Sequence, residues 1–372
     1  MKIVIGAPAT GDNYFPRNHI SLALQLALQL EHVLFLAPRR TGKTSVLLAL
    51  HSNPDVITVW LNLEGFHHPE QWIDALIAEL GKINDDQWLR LFKFHVAPLA
   101  RVSSEYFTIE KADWQSKGQQ LIAKLQQLDT PIWFLLDEFP IMIDNIAKTH
   151  NPELAAASLH WLRSLRQQNP NSPVRFLLTG SIGLDSVLKR HGIRGVANDL
   201  RREVLTPLTP EEALAFTLQL AADNAVNLPE ALAQHYIDSL GAGLWPFFIQ
   251  LFIAELQISP PPTSTDDIDT VFNRLALSQR NQYASNMRER LGEIFTPVEK
   301  AIALSVLKLL APQPTGMAYS NLRAQLPNAL DEDLELVLDV LKHDGYLTET
   351  ADQQLQFFSN LLRSYWLHKA RA

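Results

Sequence analysis

The 372-residue sequence contains no cysteine. Disulfide bonds, thiolate zinc sites and thiol nucleophiles are therefore excluded together, and the absence fits a reducing compartment such as the cytoplasm. The twelve histidines are scattered, and only His67 and His68 are adjacent. Because neighbours in sequence point apart on a helix or a strand, we predict no dedicated transition-metal site.

The sequence also has no apolar run long enough to cross a membrane. The best candidate, residues 244–256, falls short of the roughly 20 residues that a transmembrane helix needs. Residues 1–8 form too short an apolar run for a signal peptide. We therefore expect a soluble cytoplasmic protein with no membrane partner.

Positive charge is in deficit as well. The 32 basic and 40 acidic side chains leave a net charge of −8, so the field of the whole chain does not attract nucleic acid, although a local basic patch could. Apolar residues make up 47% of the chain, which is ample for globular cores, and the length suggests two or three domains.

The first half of the chain alternates strand-like apolar runs with helical patterns. This alternation predicts an α/β domain in which helices cover a parallel sheet. The run Ile132–Leu136 has no polar residue, as expected for a strand that is covered on both faces. The predicted strands are residues 33–37, 56–61, 132–136, 174–179 and, as a short fifth strand, 203–205.

The second half is predominantly helical. Residues 209–212 have the cap, the proline and the acids of a helix start. Three helical patterns and a hairpin at 345–358 end the chain in the order of a winged helix. We predict an α/β core at 1–206, a helical lid at 207–258, a proline-rich linker at 259–266, and a helical connector with a winged-helix domain at 267–372.

The strongest motif lies between a predicted strand and a predicted helix, where a phosphate-binding loop belongs. Gly42 lets the backbone approach a phosphate, Lys43 supplies positive charge, and the Thr44 hydroxyl would ligate Mg²⁺. Ala37 replaces the first glycine of the motif, but alanine is small enough for a turn-closing position. The alternative is an ordinary basic turn. The predicted nucleotide-binding residues are Ala37, Pro38, Arg39, Arg40, Thr41, Gly42, Lys43, Thr44 and Ser45.

A pair of carboxylates, Asp137 and Glu138, directly follows the third predicted strand. Open α/β sheets bind ligands at the carboxyl ends of their strands. We therefore predict that Asp137 holds the Mg²⁺ shell and that Glu138 orients or deprotonates the attacking water. The alternative, an acidic first turn of a helix, is disfavoured by the presence of the phosphate loop.

Ser181 ends the fourth predicted strand at the same edge of the sheet. Its hydroxyl could touch the γ-phosphate or the attacking water, which makes Ser181 a candidate catalytic residue beside Lys43 and Glu138. The alternative is a plain strand-ending turn.

These motifs together resemble the STAND-related archaeal-type ATPases of the AAA+ group and, more distantly, the origin-recognition ATPases. The resemblance implies an AAA+/ASCE-type P-loop core that uses ATP, ADP and Mg²⁺. It also implies that Tyr14 and Arg17, from the element Asn13–Arg17, and Pro246, from the turn 241–246, lie beside adenine.

Arginines are the least determined part of the predicted site. Residues 243–250 contain no counterpart of the sensor-two arginine of AAA+ lids, which fits the STAND side of the resemblance and implies slow hydrolysis. The candidate arginine fingers, each of which is equally compatible with a solvated charge, are Arg190, Arg194, Arg201 and Arg202.

The charge of the predicted winged helix argues against DNA recognition. Its third helix, residues 331–342, carries five acids and one lysine, and residues 295–372 have seven basic and nine acidic side chains. Because DNA attracts proteins mainly through Lys and Arg contacts to phosphates, a protein-docking or autoregulatory role is favoured.

Three functions stay open from the sequence. The first is an ATP-dependent switch with slow hydrolysis that controls a protein partner or self-assembly, and the resemblance associates such switches with defence or mobile-element systems. The second is a DNA-associated ATPase of the origin-recognition or transposition-helper type. The third is a nucleotide-binding scaffold without turnover.

Overall fold

The computed structural model describes residues 1–371 except 54–55, 84–87, 89–95, 97–113, 129, 170, 182 and 278–281. Its helices and its five-stranded parallel sheet confirm the predicted α/β fold class. The chain divides into two compact units. The sheet unit comprises residues 17–36 and 46–204, and the lid unit comprises residues 1–16, 37–45 and 205 onward.

The sheet unit is built on parallel strands in the order β2-β3-β4-β1-β5. Strands β3 and β4 are buried along their whole length, which fits the apolar run Ile132–Leu136 of β3, although β4 also buries Arg175 and Thr179; β5 is an exposed edge strand. The strands are β1 (Val33–Leu36), β2 (Ile57–Asn62), β3 (Ile132–Asp137), β4 (Val174–Gly180) and β5 (Arg201–Val204).

The pairing register aligns the carboxyl ends of these strands. Asn62 of β2 pairs with Asp137 of β3, and Leu36 of β1 pairs with Gly180 of β4. The segments that follow β1, β3 and β4 therefore all leave the same edge of the sheet, which is the edge that ligands use in this class of fold.

Helices complete the core of the sheet unit. The indole of Trp161 meets Trp72 and Trp114 edge to face, with ring centroids 5.6 and 5.2 Å apart. A methyl group at Gly118 would lie 2.4 Å from the Trp161 ring, so only glycine fits at that position. The helices are α1 (Asn18–Leu30), α2 (Lys43–His51), α3 (Pro69–Leu80), α4 (Trp114–Leu125), α5 (Phe139–Thr149), α6 (Pro152–Gln168) and α7 (Leu184–Arg190).

The lid unit begins its helical part as the sequence predicts. Thr209 Oγ1 accepts a hydrogen bond from Glu212 N at 3.2 Å, and Thr209 N donates to Glu212 Oε2 at 3.0 Å, a reciprocal cap of the first turn. The start of the predicted helical connector contains two helices, α11 and α12. The helices are α8 (Pro210–Asp223), α9 (Glu230–Leu240), α10 (Pro246–Gln257), α11 (Thr265–Leu277) and α12 (Gln282–Ile294).

The remaining elements have the predicted order of three helices, a hairpin and a last helix. A two-residue strand, β6, joins the hairpin to give a three-stranded antiparallel sheet in the order β6-β8-β7. No helix among the described residues has both the length and the apolar character of a membrane span. The elements are α13 (Pro297–Leu310), β6 (Met317–Ala318), α14 (Tyr319–Ala324), α15 (Asp331–His343), β7 (Leu347–Glu349), β8 (Gln354–Phe357) and α16 (Asn360–Arg371).

The turn between α9 and α10 packs closely on the start of α16. Added methyl groups at Gly241 and Gly243 would come within 2.7 Å of Asn360 Nδ2 and 2.6 Å of Ser359 Cβ. Trp245 stacks on Phe358 beside this turn, with ring centroids 5.2 Å apart. The glycines of the turn are therefore required by its contact with the last helix.

Candidate nucleotide-binding site

The predicted phosphate loop has the backbone of an anion-binding turn. It follows β1 and runs into the first turn of α2. Arg40 and Gly42 have positive φ angles of 64° and 94°, and Thr41 Oγ1 donates a hydrogen bond to Pro38 O at 2.8 Å. Left-handed positions of this kind turn successive N–H groups toward one concave side. A methyl group at Gly42 would meet no atom within 4 Å, so it is the positive φ of Gly42 and not crowding that favours glycine there.

The residues at the end of the loop lie at the start of α2. Lys43 and Thr44 form its first turn, where the helix dipole adds positive potential. Lys43 is buried in spite of its charge, and Ala37 is buried at the start of the loop. Ser45 Oγ accepts a hydrogen bond from Ala9 N at 2.9 Å. This contact gives Ser45 a role in holding the loop.

The phosphate loop also packs on distant parts of the lid unit. The Arg40 guanidinium lies over the Phe247 ring of α10, 4.7 Å from its centroid. A methyl group at Gly345, in the turn after α15, would lie 2.6 Å from Pro38 Cβ. Both α10 and the turn after α15 therefore contact the loop directly.

A buried carboxylate stands next to this contact. Asp344 is 3% exposed, and its Oδ2 accepts a hydrogen bond from Arg290 Nε at 3.0 Å. Burial raises the pKa of Asp344, while the charges of Arg290 and of Arg39 in the phosphate loop act in the opposite direction. The charge of the loop thus acts on a buried carboxylate next to the Gly345 turn. No local sequence signal points to this contact.

The predicted carboxylate pair begins with a fully buried residue. Asp137, the last residue of β3, is 1% exposed. Its Oδ1 accepts hydrogen bonds from Thr179 Oγ1 at 3.1 Å and from Glu138 N at 3.0 Å. These bonds fix the carboxylate at the carboxyl edge of the sheet, where an oxygen donor suits Mg²⁺.

Glu138 has a strained backbone and a constrained side chain. Its φ and ψ of 54° and 33° are left-handed, which is uncommon for a non-glycine residue and recurs at functional sites. Its Oε2 accepts hydrogen bonds from Ser181 N at 2.8 Å and Ser181 Oγ at 2.9 Å. The structure thus brings Glu138 and Ser181 into direct contact.

The residues predicted to lie beside adenine have ordinary roles in their own elements. Arg17 is buried at the N-cap of α1, and Pro246 is the first residue of α10. Tyr14 is half-buried, and its neighbour Phe15 packs on Phe216 of α8 with ring centroids 4.9 Å apart. Their contact with adenine stays a prediction.

Arg201 and Arg202, two of the candidate arginine fingers, are in ion pairs. Arg202 donates to both carboxylate oxygens of Asp185, at 2.7 and 2.9 Å. Arg201 pairs with Glu203 at 2.7 Å and with Glu31 at 3.3 Å. Arg190 ends α7, and Arg194 lies in the segment after it. A catalytic role for any of the four arginines stays a prediction.

Comparison with solved structures places this fold in a known class. The Walker-type ATPase PABY2304 of Pyrococcus abyssi is similar over 98% of this chain and 99% of its own, with a TM-score of 0.68 and 16% identity. The ORC2 protein of Aeropyrum pernix is similar over 97% of this chain and 98% of its own, with a TM-score of 0.52 and 14% identity. No protein-family model and no curated protein matches the sequence. The chain has the fold of the AAA+ P-loop ATPases.

Proposed function

We propose that this protein binds Mg·ATP and is a slowly hydrolysing switch, whose nucleotide state controls the lid helices, the C-terminal domain and thereby a protein partner. One observation carries the proposal: the phosphate loop itself contacts both candidate moving parts. Arg40 lies over Phe247 of α10, and the turn at Gly345 packs on Pro38. Nucleotide binding at the loop is therefore expected to change both of these contacts.

In this proposal the residues of the site have separate roles in phosphate binding, metal binding and proton transfer. The loop amides and Lys43 bind the phosphates, and Thr44 and Asp137 hold Mg²⁺, which neutralises charge on the phosphate oxygens. Glu138 accepts a proton from the attacking water. Ser181 sets the orientation of Glu138 through its two hydrogen bonds. Because Glu138 already accepts two hydrogen bonds, it is a weaker acceptor for the proton of the attacking water, and this is consistent with slow turnover.

Electrostatics supplies a direction for the switch. A triphosphate in the loop would compete with the buried Asp344 carboxylate for the positive charge of Arg39. Like charges close to one another in a medium of low polarity repel, so ATP should weaken the contact between the Gly345 turn and Pro38. ADP carries less charge and should leave this contact closer to its nucleotide-free strength.

Hydrogen exchange of the full chain tests this proposal. With Glu138→Gln used to retain ATP, we expect the amides of residues 342–347 and 246–250 to exchange faster with ATP than with ADP or without nucleotide. Lys43→Ala is the control and should show no nucleotide effect. Equal exchange in all three states, with nucleotide binding shown separately, would contradict the switch and leave a nucleotide-binding scaffold.

A further inference from the structure

A short segment near the start of the chain joins a lid helix to the phosphate loop. Val4 N donates a hydrogen bond to Gln250 Oε1 of α10 at 2.5 Å. Ala9 N donates a hydrogen bond to Ser45 Oγ, at the end of the phosphate loop, at 2.9 Å. All four residues belong to the lid unit. We call residues 4–9 the strap, because they connect α10 with the loop through a hydrogen bond at each end.

The lid end of the strap satisfies a buried amide. Gln250 is 8% exposed, and the other buried residues of α10 are all apolar. Burial of an amide oxygen without a hydrogen bond is costly, so a buried glutamine in an apolar helix requires a partner. Its Oε1 accepts the N–H of Val4. The contact with the strap therefore gives a physical reason for a glutamine at this position of the helix.

The loop end of the strap is attached where the nucleotide phosphates are proposed to bind. Ser45 is 8% exposed and lies in the first turn of α2, directly after Lys43 and Thr44. The N–H groups in the first turn of a helix point toward an anion bound at its N-terminus. A triphosphate held by this turn therefore acts on the residue to which Ala9 is bonded.

The span between the two ends is short and exposed. Residues 5–8 are exposed, and Ile5 among them is 42% exposed in spite of its apolar side chain. Gly6 has a positive φ of 92°, and a methyl group added there would meet no atom within 4 Å. The five residues from one bonded amide to the other reach at most about 18 Å. The span therefore limits the movement of α10 away from the loop, and its own packing adds little to the two end bonds.

We propose that the strap restrains the nucleotide switch by holding α10 to the phosphate loop, so that ATP displaces α10 only by breaking one of the two end bonds. Arg40 lies over Phe247, which is one turn before Gln250, so the strap holds the part of α10 that contacts the loop. This inference rests on the proposed switch and identifies a segment that opposes it. A restraint that lowers the population of the ATP-binding state lowers the apparent ATP affinity, and its removal raises that affinity.

Calorimetric titration of the full chain with Mg·ATP measures the restraint. Glu138→Gln is present in every variant to retain ATP. Ser45→Ala and Gln250→Met each remove the acceptor at one end of the strap. Each should tighten ATP binding about two- to tenfold, the contribution of one hydrogen bond. Because the two bonds act in series, the double variant should bind ATP no more tightly than the tighter single variant.

Matched controls repeat the two substitutions at exposed positions of the chain. Ser52→Ala, just after α2, and Gln219→Met, on α8, should leave ATP affinity unchanged. Circular dichroism melting checks that all variants fold. Tightening in a control equal to that in its strap variant would overturn the proposal.

Hydrogen exchange resolved to single amides gives a second readout, without nucleotide. After correction for intrinsic rates, the bonded amides of Val4 and Ala9 should exchange at least about tenfold more slowly than those of Ile5 and Ala7. Ser45→Ala should remove the protection of the Ala9 amide, and Ser45→Thr, which keeps a hydroxyl acceptor, should restore it. Equal exchange of the four amides would show that the strap is not fastened.

The remaining outcomes separate the strap from the switch. Unchanged or weaker ATP binding in either single variant, or additive tightening in the double variant, would overturn the strap. If the switch is nevertheless correct, the amides of residues 342–347 still exchange faster with ATP. Equal exchange of residues 342–347 in all nucleotide states would contradict the switch itself and the restraint together.

Discussion

Replacing His32 with glutamine is expected to make the free energy of unfolding less sensitive to acid. His32 Nδ1 accepts a hydrogen bond from Phe176 N at 3.1 Å. Burial, reinforced by the charges of Arg166 and Arg175, lowers the pKa of His32 to about 3. The folded ring therefore stays neutral over a pH range in which the unfolded chain binds a proton.

The sign and the size of the effect follow from this shift. The folded pKa lies below the unfolded value of about 6.5, so the contribution of His32 is fully present above that pH and is lost as pH falls toward 3. Each pH unit in this window costs about 1.4 kcal/mol of unfolding free energy. Between pH 6.5 and 4.5 the loss is at most about 2.7 kcal/mol. A glutamine oxygen can still accept from Phe176 N and does not titrate.

Urea unfolding of both proteins at about pH 7.5 and about pH 4.5 measures the difference. Asp144 and Asp199, whose pKa values are also lowered in the fold, contribute equally to both proteins and cancel. The wild type should lose about 2–3 kcal/mol more than His32→Gln. An equal loss in the two proteins would show that the folded ring is charged at the lower pH, and the reasoning from burial would be refuted.

Four further outcomes are expected. Lys43→Ala should weaken ATP binding by at least about 100-fold, measured by calorimetry, because it removes the charge that faces the phosphates; wild-type affinity would remove Lys43 from the site. Glu138→Gln should retain Mg·ATP and slow single-turnover hydrolysis by about 100-fold; an unchanged rate would make Glu138 structural. Gly345→Ala should cost about 1–3 kcal/mol of stability in thermal melts, since its φ is 78° and Pro38 leaves no room; an unchanged melt would argue against that contact. The full chain should bind duplex DNA more weakly than about 1 µM in anisotropy titrations at physiological salt; tighter binding with a steep salt slope would favour the DNA-associated ATPase.

The local parts of this molecule could be predicted from its sequence. Strand β3 is an apolar run that ends in Asp137 and is followed by Glu138, and the cap at Thr209 lies within four residues. Each of these signals is contained in a short segment, so it can be recognised without knowledge of the fold. The same is true of the phosphate loop, whose residue types and position after a strand are specific.

The long-range parts could not be predicted in the same way. In the sequence, Gly345 has the position of an ordinary glycine after a helix. Nothing near it in sequence indicates its contact with Pro38. The left-handed backbone of Glu138 and its bond to Ser181 depend on how β3 and β4 pair. Strand β6 has only two residues, which is too short for any periodicity to appear.

The close fit of the turn at Gly241 and Gly243 to Ser359 and Asn360 has a practical consequence for dissecting this protein. The proline-rich linker looks like a natural place to divide the chain. A cut there would remove Phe358, on which Trp245 stacks, and would expose the two glycines to solvent. The turn between α9 and α10 would therefore lose packing that the far end of the chain supplies. Truncated chains made in this way should aggregate more readily than the parent.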